Sequence, residues 1–119
     1  MTIIPALILI CATAALGIFL GVRRLRRGAR KPMLIGLHLL LGLGALESVA
    51  YSLWRTSPDG GSTQLGATAA GALAAALFIG LIAPILGRGS QRRMNVALTA
   101  HASVAAVGLA FALVWIVSR

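Results

Sequence analysis

Four long apolar runs separated by short polar gaps dominate the chain: Ile3 to Val22, Met33 to Trp54, Gly66 to Leu86 and Met94 to Val117. Each is about 20 residues or longer, the length an α-helix needs to cross a ~30 Å hydrocarbon layer. The gaps are "RRLRRGARKP" (Arg23 to Pro32), "RTSPDGGSTQLG" (Arg55 to Gly66) and "RGSQRR" (Arg88 to Arg93). Links this short join antiparallel neighbours. The pattern therefore predicts an all-α membrane protein, four transmembrane helices in an up-down antiparallel bundle forming one domain over residues 1–119. The first run has no basic leader and is long enough to span, so it reads as a helix and not as a cleaved signal. "SPDGGS" combines proline, aspartate and glycine and predicts a tight external turn. The third run, "GATAAGALAAALFIGLIAP", is rich in small residues, and spacings such as Gly71 to Ala75 predict close helix packing. No periodic repeat or low-complexity tail marks out a second domain.

Composition agrees with the pattern. The 119 residues are 59% hydrophobic and include only two acidic side chains, with a mean hydropathy of +0.95, more apolar surface than a soluble domain can hide. A net charge of +9 spread over a polar domain would point to nucleic acid, but nine of the eleven Lys and Arg residues sit in the first and third gaps. Charge confined to links reads as topology. The positive-inside rule places those two gaps in the cytoplasm and both termini outside, in a bacterial inner membrane with lipid as the immediate partner and no nucleic acid. Trp54 and Trp115 end their helices on the side away from the basic links, where an interfacial aromatic belt is expected. Cys11 is the only cysteine, which excludes an internal disulfide, a CxxC redox pair and a CxxCH haem attachment.

Two histidines interrupt the apolar runs. His38 lies six residues beyond Pro32 and His101 eight beyond Arg93, so at 1.5 Å per residue both sit about 9–12 Å below the cytoplasmic edge, on helices of the same direction. Turning 100° per residue, His38 shares a stripe with Leu34, Leu41, Gly42, Ala45 and Val49. His101 shares one with Ala97, Leu98, Val104, Ala105, Gly108 and Ala112. Gly42 and Ala45 opposite Ala97, Ala105 and Gly108 would leave a slot between the second and fourth helices that a flat macrocycle could fill. Left empty, such a slot is costly, because packing is the main force joining helices in lipid.

Paired histidines on separate helices amid Gly and Ala, in "LHLLLGLGA" and "AHASVAAVG", resemble the axial ligands of membrane-embedded b-type cytochromes. That group includes the four-helix cytochrome b anchors of hydrogenases and formate dehydrogenases. The resemblance implies one haem b held between His38 and His101, and electron transfer as a subunit of a respiratory or photosynthetic complex. Many of those proteins carry four histidines and two haems, whereas two histidines support a single one. Two neutral imidazoles fill the iron's coordination sphere and favour electron transfer over oxygen binding. The second ring nitrogen of a ligating histidine requires an acceptor, expected to be a backbone carbonyl one turn earlier or the side chain of Thr99 or Ser103. Arg30, Lys31, Arg92 and Arg93 stand at the depth where haem propionates would emerge.

Other readings compete. Each histidine could be a neutral, hydrogen-bonded residue between helices, a pigment such as bacteriochlorophyll would need only one axial histidine, and a purely structural accessory subunit would use its small residues to pack on other membrane subunits or on copies of itself. Glu47 falls nine residues after His38, on the opposite face with Gly36, Leu40, Tyr51 and Trp54. It lies about 10 Å below the outer edge, where a carboxylate in lipid is expensive. In order, the expected roles are a local bond to Tyr51 or a serine, contact with a partner subunit, and a proton or quinone site. Small multidrug transporters also have four helices and one essential membrane glutamate, but theirs is in the first helix, which here has none. With no nucleophile paired to a base, no phosphate loop and no further metal-ligand cluster, the chain reads as an electron-transfer subunit more than a stand-alone enzyme.

Overall fold

The computed structural model describes residues 3–56 and 61–118, and the side chains of all of these except 56 and 61–63. They form four α-helices: α1 (Ile3–Leu25), α2 (Pro32–Thr56), α3 (Gly61–Leu86) and α4 (Gln91–Val117). All four are long and apolar enough to cross a membrane. Each contains its expected run and extends past it, because the apolar run marks only the hydrocarbon depth while a helix continues until a cap or turn stops it. α1 stops where Arg27 takes a left-handed φ of 54° and Gly28 N–H donates to the Arg23 carbonyl at 2.9 Å, the six-to-one bond of a Schellman turn. α4 starts at Ser90, whose hydroxyl accepts from Arg93 N–H at 3.3 Å, immediately after Gly89 turns through a left-handed φ of 71°. Of the expected "SPDGGS" turn, 57–60 lie outside the described residues, and Gly61 and Ser62 already belong to α3.

The helices group into two compact units, one ending at Ser48 and one beginning at Val49. In the first, α1 and α2 approach closely enough that a Cβ built on Gly17 would lie 2.9 Å from His38 Cε1, and one on Gly44 would lie 3.7 Å from Leu9 Cδ1. The contact nearer the start of α1 is the one nearer the end of α2, so this pair runs antiparallel.

In the second unit α3 and α4 pack along their length. A Cβ built on Gly66 would lie 2.8 Å from the Trp115 ring, on Gly108 3.1 Å from Leu73, on Gly80 3.0 Å from His101, and on Gly87 2.7 Å from Met94. These positions recur every seven residues on both strands of the seam, 66, 73, 80 and 87 against 115, 108, 101 and 94. Each rung sets a glycine against a larger side chain. Ala69, Ala76 and Ala83 fill the intervals and are buried. A strict seven-residue repeat is the pattern of left-handed helix pairs, and glycine at the contact lets the backbones close in. Two expectations change accordingly. Gly71 and Ala75 are exposed and lie off this seam, because only the stripe that meets large partners every seven residues is used. Trp115 is only 1% exposed, since Gly66 leaves room for its ring, and a Cβ built there would also lie 2.8 Å from Leu53 Cδ1; Trp54 stays outside, at 74%.

The seam also shows an internal repeat that the reading of the sequence passed over. Sixty-three residues separate Gly17 from Gly80, and the same interval separates His38 from His101. Shifted by that interval, buried Ala6, Ala45, Val49 and Ser52 fall on buried Ala69, Gly108, Ala112 and Trp115. The two hairpins share these buried positions with few identical residues, because a lipid-facing helix needs only small or apolar residues at each position.

Candidate histidine site

His101 is half-buried on the α4 side of the seam. Its Nδ1 lies 2.7 Å from the Ala76 carbonyl of α3. A carbonyl only accepts, so Nδ1 donates in this bond, and in the neutral imidazole the lone pair then belongs to Nε2. The acceptor expected one turn earlier on the same helix is therefore replaced by one on the neighbouring helix, and Ser103 instead donates to the Thr99 carbonyl at 2.8 Å. The ring reaches Ala76 because residue 80, one turn further along α3, has no side chain: a Cβ there would stand 3.0 Å from both Cε1 and Nδ1. Pro84 adds to the open backbone at this level, since it has no N–H to return to the Gly80 carbonyl.

His38 is half-buried, with a buried Nδ1. Its ring meets α1 edge-on, Cε1 being 2.9 Å, Nε2 3.5 Å and Nδ1 3.6 Å from a Cβ built on Gly17. Both histidines thus rest on a glycine of the preceding helix, and His101 meets its glycine with the Nδ1–Cε1 edge of the ring. Sequence reasoning missed Gly17 and Gly80, although the interval of twenty-one residues from glycine to histidine is the same in both hairpins.

The residues on the two histidine stripes differ in burial. Ala45, Ala97 and Gly108 are buried, and Gly42 and Ala105 half-buried. Gly108 closes on the Ala72 Cβ and the Leu73 backbone nitrogen, so its small size serves the pairing of α4 with α3. Arg30, Lys31, Arg92 and Arg93 are exposed. An open groove lined by Arg92, Asn95, Val96, Thr99, Ala100 and Ser103 runs along the α4 face about half a turn from His101, so it does not contain the imidazole. Among the described residues no three of His, Cys, Asp and Glu come together to hold a metal ion by themselves.

Glu47, Tyr51 and Trp54 share the exposed face of α2. The Tyr51 hydroxyl accepts from Arg55 Nη1 at 3.1 Å, the guanidinium stands 5.8 Å from the tyrosine ring centre, and the Trp54 ring lies 6.2 Å from it. The expected local partner of Glu47 is thus engaged by Arg55, and among the described residues no hydrogen bond or ion pair reaches the Glu47 carboxylate. Comparison with protein families, curated proteins and solved structures returns no match for this chain.

Proposed function

We propose that the chain is a small integral-membrane b-type cytochrome, an electron-transfer subunit of a bacterial inner-membrane complex whose basic links face the cytoplasm. The observation that carries this reading is the bond from His101 Nδ1 to the Ala76 carbonyl. It holds the imidazole in the tautomer whose Nε2 lone pair suits iron, fixes the plane of the ring and raises its basicity. His38, at matched depth in the sequence, is the second axial ligand of the proposal, and Arg30, Arg92 and Arg93 carry the charge that would meet the propionates. Haem b when bound supplies a one-electron couple. The chain's own work is to supply two neutral nitrogens and exclude water from around them. Exposed Glu47, on the face of α2 half a helical turn from His38, supports contact with a partner subunit within the same assembly.

The test is spectroscopic. Protein purified in mild detergent from haem-replete cells is expected to contain one b-type haem per chain and to give a low-spin reduced-minus-oxidised spectrum. Colourless protein that stays colourless after hemin is added would overturn the reading, and a high-spin product that readily binds carbon monoxide would remove one of the two ligands.

A further inference from the structure

We infer that the chain is a tandem repeat of one glycine–histidine hairpin, and that Gly17 and Gly80 are positioning residues, each setting the ring of one histidine. The ligating purpose of this device rests on the cytochrome reading, whereas the device itself rests on local geometry. In each hairpin the histidine follows its glycine by twenty-one residues, and the two pairs are sixty-three residues apart. Burial recurs at that interval at Ala6 and Ala69, Ala45 and Gly108, Val49 and Ala112, and Ser52 and Trp115, so the shared step belongs to a shared framework.

The α3–α4 pair shows how the step works. The Ala76 carbonyl is reached over the bare backbone of Gly80, where a Cβ would stand 3.0 Å from Nδ1, closer than ordinary contact, against a bond of 2.7 Å. A methyl group at 80 therefore pushes the ring off its acceptor. At Gly17 the clash with His38 Cε1 is tighter still, 2.9 Å. In both cases the obstacle is the end of a side chain, which turns more cheaply than two helices part. Gly108 differs, since its Cβ would meet the Leu73 backbone nitrogen at 3.1 Å and only movement of a helix relieves it. Alanine at 17 or 80 thus tests ring orientation, not folding.

The experiment is ¹⁵N-histidine NMR on the haem-free full chain in detergent micelles, for wild type, Gly17→Ala, Gly80→Ala, and the controls Gly36→Ala and Gly71→Ala, whose added methyls meet nothing within 4 Å. Wild-type His101 is expected to show a protonated Nδ1 and an unprotonated Nε2. Gly80→Ala should shift the His101 signals and leave those of His38, Gly17→Ala should do the reverse, and the controls should move neither. Hemin titration of the same proteins is expected to show about tenfold weaker binding for each positioning variant, the usual effect of removing a group that orients a metal ligand. Histidine signals unchanged in both variants, a wild-type His101 lacking the Nδ1 proton, or loss of helix content in the variants would each overturn the inference. Signals that shift as expected in a chain that takes up no hemin would overturn the cytochrome reading and leave the positioning role standing.

Discussion

The Tyr51 hydroxyl and the Arg55 guanidinium meet on the outer face of α2 at 3.1 Å, and both residues are exposed. An exposed bond of this kind contributes little, so Tyr51→Phe is expected to change the unfolding free energy by no more than about 0.5 kcal/mol. Glu47 sits one turn earlier on that face and half a helical turn from His38. On the cytochrome proposal, Glu47→Gln should leave haem content and spectrum intact while reducing co-purification of any partner subunit, whereas His38→Ala and His101→Ala should each remove the haem, because neither proposed ligand has another histidine to replace it. Haem content and co-purifying subunits across the three variants check this. Loss of haem from Glu47→Gln at normal expression would show the two faces of α2 to be misassigned. The faces themselves were legible from 100° periodicity, since Ala45 and Val49 are buried and Leu40 and Trp54 exposed. The His101 bond was not, because its acceptor is a backbone carbonyl, and every residue type offers one.

At the level of elements, the α3–α4 seam alternates glycine against Trp115, Leu73, His101 and Met94. A methyl group placed on Gly108 meets backbone, so Gly108→Ala is expected to cost about 1–3 kcal/mol by overpacking, while Gly71→Ala, in open space, should cost nothing measurable. Reversible unfolding of both variants in mixed micelles compares them directly. Ser90→Ala removes the side-chain acceptor for Arg93 N–H and should destabilise the start of α4 by about 1 kcal/mol. The sequence predicted close packing from the abundance of small residues in α3 but named the wrong pair. Abundance is the reason: α3 offers Gly or Ala on several stripes, and only the fit of each glycine to a larger side chain on the facing helix, three from α4 and Leu73 from α3, selects one of them.

At the scale of the whole molecule, nine basic residues in two links predict that a reporter inserted near Gly28 is cytoplasmic and one fused after Arg119 is external. The opposite labelling pattern would move the histidines to the outer half of the membrane. The number of helices, and that each is long and apolar enough to cross a membrane, followed from the sequence alone, because lipid forces every backbone polar group into helices and an apolar run of that length marks each one. Tertiary structure decided what touches what. It placed Trp115 in the seam at 1% exposure, gave His101 an acceptor on α3, and set each histidine against a glycine. These outcomes depend on the register between helices, which is chosen by fitting side chains into the gaps left by absent ones. A glycine has no side chain through which a single helix could announce its partner.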